Sequence, residues 1–324
     1  MKAVRNFAWG LRALDLRSVP SLAAGLFMLA LTACSPSPIT LRGFAVADVN
    51  DEIGLLDLET GARRTLLKEE ETKDLDSLVA GPPGKILFTS GFYLEGKVVF
   101  EFDVCSGVTK RLGAGQSAAY DMEDDAVLFY ESSKGAIPDN PQLLLAPYSD
   151  LGRGVPIMRG PPIRVVPKGI PLPLIRPPIR VASSRYVAVG ENLSLHLIDI
   201  RERTATDLGI RCLPTAIRTT TNTLICTDWT AKFKYFELDI DNGWQRRDVG
   251  QLSPSLIYVP PDDAVIYGTV EGSLFPIPHE NPRVHAYIFD RGTFSVGDGL
   301  LYKGFWMPAD PAGKPCGAAQ TSSP

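Results

Sequence analysis

Gly54-Leu55-Leu56-Asp57-Leu58-Glu59-Thr60-Gly61 is a short apolar run closed by an aspartate, with a glycine four residues later. The same grammar returns at Phe100-Glu101-Phe102-Asp103, Leu197-Ile198-Asp199, Phe236-Glu237-Leu238-Asp239 and Tyr287-Ile288-Phe289-Asp290, and the glycine returns at Gly107 and Gly243. Glycine supplies the positive φ that a bulged hairpin requires, and the aspartate carboxylate can accept backbone N–H bonds within the same turn. Each turn is followed by a more polar strand, such as Arg63-Arg64-Thr65-Leu66-Leu67 or Trp244-Gln245-Arg246-Arg247-Asp248-Val249. The pattern predicts repeated hairpins of one apolar and one polar strand.

The intervals between these aspartates are 46, 96, 40 and 51 residues, and the double interval leaves room for a degenerate copy at Leu143-Leu144-Leu145-Ala146-Pro147-Tyr148. A period near 45 residues with about four strands per unit resembles the β-propeller repeat families. Asp57-Leu58-Glu59-Thr60-Gly61 is similar to the D-x-x-T-G turn of YVTN and quinoprotein repeats. The quinoprotein tryptophan signature is absent, so no cofactor is implied. With 29 glycines, 27 prolines and no long stretch of 3.6-residue periodicity, the expected class is all-β. The resemblance implies a six-bladed β-propeller of four-stranded antiparallel blades. The first copy, starting at Phe44, lacks an innermost strand, and the strand at residues 300–307 lacks a following hairpin. Each end offers what the other needs, which predicts closure of the ring by the C-terminal strand.

The chain opens with Lys2, Arg5, Arg12 and Arg17, followed by the apolar segment Ser21 to Leu31 and then Leu31-Thr32-Ala33-Cys34. A basic leader before a short apolar core is an export signal, and the core is shorter than the about 20 residues a membrane helix needs. The last four residues resemble the lipobox of bacterial lipoproteins. That resemblance implies cleavage before Cys34 and acylation of Cys34, which tethers the body to a membrane; Ser35 in place of aspartate favours the outer membrane, facing the periplasm or the cell surface. The expected organisation is a leader at 1–33, a tether at 34–42, the propeller at 43–307 and a tail at 308–324.

Four further cysteines, Cys105, Cys212, Cys226 and Cys316, form an even set suited to an oxidising compartment. Cys212 and Cys226 are equidistant from Thr219, which predicts that they face one another across a hairpin of the fifth blade. On propeller topology Cys105 and Cys316 can meet beside the closing strand. Free buried thiols are the other reading.

Residues 151–190 break the repeat. They contain Arg153, Arg159, Arg164, Lys168, Arg176, Arg180 and Arg185 with no Asp or Glu at all, in a chain of net charge −4. Pro161-Pro162-Ile163-Arg164-Val165 recurs as Pro177-Pro178-Ile179-Arg180-Val181. Proline fixes φ and removes a donor, so the insertion at 151–180 should run extended. It reads either as a basic arm, with Arg159, Arg164, Lys168, Arg176 and Arg180 meeting an envelope protein or an anionic glycan or lipid, or as a solvated linker. The acidic chain and the export leader argue against nucleic acid.

Catalytic constellations are thin. His279, Glu280 and His285 lack the i, i+4 spacing of a metal-binding helix, and Asp239-Ile240-Asp241-Asn242-Gly243 lacks the closing glutamate of a calcium loop. The acidic runs Glu69-Glu70-Glu71 and Asp121-Met122-Glu123-Asp124-Asp125 read as solvated turns. Two function classes remain: a binding or scaffold lipoprotein, similar to TolB-like envelope propellers that present a rigid face, and a propeller hydrolase or lactonase with a metal at the central channel. The apolar character of Leu256-Ile257-Tyr258-Val259 and Leu301-Tyr302-Lys303-Gly304-Phe305 favours binding, since a metal needs carboxylates or amides converging from the inner strands.

Overall fold

The repeat aspartates Asp57, Asp103, Asp199 and Asp239 are consumed by their own turns, and Asp290 lies outside the described residues. In a computed structural model, which describes residues 41–49, 52–91, 96–132, 142–157, 176–190, 193–228, 234–251, 256–269, 283–289, 292–298, 304–309 and 315, Asp57 Oδ1 accepts the N–H groups of Glu59 and Thr60 at 2.9 and 3.0 Å. Asp103, Asp199 and Asp239 do the same two and three residues downstream. The residue four positions on takes positive φ as glycine at Gly61, Gly107 and Gly243, and as Arg203 in the fourth repeat. These hydrogen bonds hold the carboxyls of Asp103 and Asp199 below the usual carboxylate range, backbone donors contributing most. The motif is therefore architectural.

Strands run in chain order through the blades. The first blade contains β1 (Phe44–Val49), β2 (Glu52–Asp57) and β3 (Arg63–Leu67); the second contains β4 (Ser77–Ala80), β5 (Lys85–Ser90), β6 (Val98–Asp103) and β7 (Thr109–Ala114). The third is β8 (Gln116–Asp121), β9 (Ala126–Tyr130), β10 (Leu143–Pro147) and β11 (Val155–Pro156). The fourth is β12 (Ile179–Ala182), β13 (Arg185–Val189), β14 (Ser194–Asp199) and β15 (Thr204–Arg211). β16 (Leu213–Arg218), β17 (Thr223–Asp228), β18 (Lys234–Asp239) and β19 (Gln245–Gln251) build the fifth, and β20 (Leu256–Val259), β21 (Ala264–Thr269), β22 (Arg283–Ile288) and β23 (Gly292–Asp298) the sixth. Finally β24 (Gly304–Met307) adds to β1 as the innermost strand of the first blade, giving six four-stranded antiparallel sheets. This is the six-bladed propeller expected from the repeats. Its closing register sets Phe44 opposite Met307, Ala45 opposite Trp306 and Val46 opposite Phe305.

The core lies between blades. The second strand of a blade is buried on both faces, so it reads as a continuous apolar run while alternation sends its residues to two different neighbours. Ile86 and Phe88 pack toward the first blade with Val46 and Ile53, whereas Leu87 packs with Val127 and Phe129 of the third. Leu128 and Tyr130 then meet Tyr186 and Ala188 of the fourth, and Val187 meets Leu224 and Phe236 of the fifth. A fully buried Leu or Phe of this kind contributes about 1.5–3 kcal/mol.

Three expectations are corrected. First, Leu151–Arg153 is a 3-10 turn, Val155–Pro156 is the outermost strand of the third blade and Ile179–Ala182 is the innermost strand of the fourth. The break in the repeat is thus shorter than 151–180, because proline density masked the strand alternation at its ends. Second, Cys212 and Cys226 are disulfide-bonded, with Cα atoms 5.6 Å apart, but they are not directly opposite: the hairpin turns between Thr220 and Thr221 instead of on Thr219, so Pro214 faces Cys226 and the bridge runs diagonally. Third, Glu69-Glu70-Glu71 opens a short helix, α1 (Glu69–Thr72), in which Glu71 accepts the N–H of Lys68.

Closure depends on a close approach at Gly304. A Cβ there would collide with the Val46 carbonyl oxygen and stand 2.7 Å from Ile257 Cδ1. Gly304→Ala should destabilise the protein by about 1–3 kcal/mol, read as a lower urea midpoint at unchanged slope; an unshifted midpoint would show that β24 tolerates displacement.

Candidate functional site

A propeller has two faces. One carries the joints from each outermost strand to the next innermost strand, together with the loops between second and third strands. The other carries the tight hairpins between first and second, and third and fourth, strands. In the described residues the two differ in how their polar side chains are used.

On the hairpin face, ion pairs and hydrogen bonds, some of them buried, link neighbouring blades. Arg218, at the end of β16, donates from Nε to both carboxylate oxygens of Asp263 in the β20–β21 turn, at 2.9 and 3.1 Å, and from Nη1 to Glu237 of β18 at 3.1 Å. Its guanidinium lies 3.8 Å from the centroid of the Phe289 ring. Thr220 and Tyr258 hydroxyls also donate to Asp263, at 2.8 and 3.0 Å. Burial raises the Asp263 carboxyl, but the Arg218, Thr220 and Tyr258 hydrogen bonds outweigh it and the net shift is downward. Glu237 takes a second guanidinium, that of Arg247, at 2.9 Å. Between the second and third blades Glu101 receives Lys85 Nζ at 2.8 Å and the Tyr148 hydroxyl. Glu101 and Glu237 occupy the same place, two residues before the turn aspartate, in blades two and five.

The third such link answers for one of the basic residues. Arg180 lies on β12, pairs with Glu123 and stands 4.0 Å from Asp121 in the β8–β9 turn. Ser183 donates to the same Glu123 at 2.8 Å, and this hydrogen bond, with Arg180, holds the Glu123 carboxyl below its ordinary value. The acidic turn is thus partly an inter-blade contact, and Arg180 is a blade residue rather than part of an arm. Arg176 is half-buried beside the innermost strand of the fourth blade. Burial lowers its pKa, opposed by the nearby Tyr235 phenol, which burial pushes up to about 12. The guanidinium remains a cation at neutral pH. Arg159, Arg164 and Lys168 lie outside the described residues, as do Cys34 and Cys316. Cys105 is exposed on the β6–β7 turn.

The joint face gathers a polar cluster that the sequence did not announce. Lys97, with its side chain 2% exposed, donates from Nζ to the carbonyl oxygen and to Oδ2 of Asp74, both at 2.9 Å. Ser117, at φ +51° on the innermost strand of the third blade, donates to Asp76 at 3.1 Å, and Gln116 Nε2 donates to Glu131 O at 3.3 Å. Ser90 and Gly91 both bond the Lys73 carbonyl. A hydroxyl donating to a carboxylate, beside a lysine held by another carboxylate, orders this part of the surface. Among the described residues, no group of three or more His, Cys, Asp or Glu is arranged to hold a metal. His285 instead stacks on Tyr267 at 5.6 Å. The only advance signal of the ion-pair positions was the glutamate interrupting the apolar runs at Glu101 and Glu237.

The sequence matches no protein-family model and no curated protein. Among solved structures, TolB from Acinetobacter baumannii superposes with a TM-score of 0.62 at 13% identity, over 91% of this chain and 75% of that one. A structure assigned to TolB from Agrobacterium tumefaciens gives 0.56 at 12% identity, over 83% and 96%. What they share is the fold. No helix among the described residues is long and apolar enough to cross a membrane.

Asp263→Asn isolates the blade five–six link. Because the folded carboxyl titrates below its ordinary value of 3.8, its contribution is fully present above pH 3.8 and is lost as pH falls through the lower folded value. The variant should therefore melt earlier than wild type at pH 7, and the gap should narrow below about pH 4. A gap independent of pH would assign the loss to packing.

Proposed function

We propose that the protein is a non-catalytic binding or scaffold lipoprotein of the cell envelope. In this reading residues 1–33 are a leader, Cys34 carries the lipid, residues 34–42 tether the ring, and residues 308–324 are a tail. The observation that carries the proposal is the pairing of a closed ring with a cation-rich stretch of sequence between its third and fourth blades. The polar groups on the hairpin face are committed to turns and inter-blade pairs, which suits a frame. Arg159, Arg164 and Lys168 belong to the stretch of sequence that links β11 to β12, and in this reading they meet an envelope protein or an anionic glycan or lipid. Electrostatic attraction of this kind steers association and depends on salt. The lipobox resemblance supports attachment, since two or three acyl chains anchor durably where one does not. The likeness to TolB structures supports the frame, and the outer membrane is the proposed location by the residue following Cys34.

Two measurements test the reading. Cys34→Ala should move the protein from the membrane fraction to the soluble fraction of the envelope, with loss of palmitate labelling; unchanged fractionation would remove the anchor. Reversing charge at Arg159, Arg164 and Lys168 together should abolish partner crosslinking in native membranes while leaving the melting temperature within about 1 °C, as surface substitutions do. Undiminished crosslinking would make the segment a linker. Arg180→Glu is the contrasting control, expected to lower stability through the lost Glu123 pair.

A further inference from the structure

The rim of the ring between blades four and five holds a groove of about 440 Å³ that neither blade packing nor the ion-pair links explain. That size falls within the roughly 300–1,000 Å³ of small-molecule sites. Two local departures from the repeat shape it.

The first is in β15. The third and fourth strands of blades one, two, five and six shift register by one residue, whereas β14 and β15 shift by two between Ser194 and His196; Gly209 takes φ +67° there, and its N–H is held by Asp207 at 2.8 Å. Ser194 donates to the same carboxylate. A bulge of this kind bends its strand and re-aims its side chains, and such bulges concentrate near functional sites. The second is in the β18–β19 turn. In blades one, two and four the turn aspartate faces the residue five positions on, at Ala62, Val108 and Thr204. In blade five Asp239 faces Gln245, so this turn is one residue longer. The added residue is Trp244, whose N–H bonds the Asp239 carbonyl at 2.7 Å and whose φ is +64°. A bulky aromatic residue in the left-handed region is uncommon, and such outliers point toward function.

Trp244 lines the groove, over a floor that includes the buried Phe236 and Leu238. Arg246 lays its guanidinium 3.9 Å from the Phe236 ring centroid, bonds Asp248 at 2.8 Å and reaches Asp228 at 3.7 Å. Arg211, exposed, enters from blade four. The Cys212–Cys226 bridge fixes the joint between the two blades at the same place.

This lining selects among ligands. A purely apolar occupant would bury Asp228, Arg246 and Arg211 without replacing their water, a desolvation cost. A compact anion would meet Asp228 and Asp248 around the guanidiniums. A pyranose ring meets neither objection: its hydroxyls offer donors to the carboxylate and acceptors to the guanidiniums, while its C–H face lies against the indole. We propose that the groove is a saccharide-binding subsite for one or two uncharged sugar rings, with Trp244 as the stacking platform. The site shares no residue with the basic segment, so the two readings stand or fall separately.

The test uses the exported chain with its disulfide intact, titrated with cellobiose, maltose and N,N′-diacetylchitobiose by saturation-transfer NMR and calorimetry. At least one disaccharide should bind saturably. Trp244→Ala should weaken that binding about tenfold, Trp244→Tyr should restore most of it, and Arg211→Ala, at an exposed position, should weaken it without altering the melting curve. Charge reversal at Arg159, Arg164 and Lys168 should leave it unchanged. Absence of saturable binding for all three sugars, equal binding by the Trp244→Ala and Arg211→Ala variants, or preference for benzoate or inorganic phosphate over every sugar would overturn the proposal.

Discussion

The pairing of Gly304–Met307 with Phe44–Val49 is the contact on which the remaining structure depends. An open arc of sheets would present the free backbone groups of β1 to solvent and to other chains. Adding β24 converts that edge into an interior strand, and it fixes the number of blades because the sixth must hand the chain back to the first. The fit is narrow: Gly304 sits where no side chain fits, and the Trp306 indole N–H bonds the Arg42 carbonyl at 2.8 Å just before β1 begins. Arg42 in turn donates its N–H to Asp262 of the sixth blade at 2.9 Å. Both sides of the closure are thus tied by hydrogen bonds from one short stretch of chain.

Within the closed ring, blade spacing is set by alternation and blade orientation by charge. Apolar residues of each second strand fill the wedges on both sides, a non-directional attraction that alone would allow sliding. The Arg218–Asp263–Glu237 and Lys85–Glu101–Tyr148 groups are directional, and they sit on the hairpin face where the wedges are widest in hydrogen-bonding partners. Buried pairs of this kind add little net stability over apolar packing but are costly to break singly. Their placement in blades two and five gives the ring two polar locks half a turn apart.

Much of this was legible in the chain. The Asp–x–x–x–Gly turns carry their own mechanism, carboxylate to N–H and glycine at positive φ, so strand order, blade number and closure followed from counting them. What escaped was non-local. Arg218 and Asp263 are forty-five residues apart, and nothing in either neighbourhood marks the partnership. Proline hid two strands of the third and fourth blades, since Val155–Pro156 and Ile179–Ala182 read as extended linker when judged by composition. The disulfide was visible as a pair but not as a diagonal, because the hairpin turns between Thr220 and Thr221 and not on Thr219. The Trp244 insertion was in plain sight as one residue too many, yet only superposing the sister turns gives it meaning.

The location of β24 also bears on when the protein can fold. A chain emerging from its amino-terminal end offers the first sheet without its innermost member until residue 307 has appeared, so five finished sheets must wait for a sixth that began earliest and ends last. Completion of the ring is in this way ordered by the permutation of a single strand.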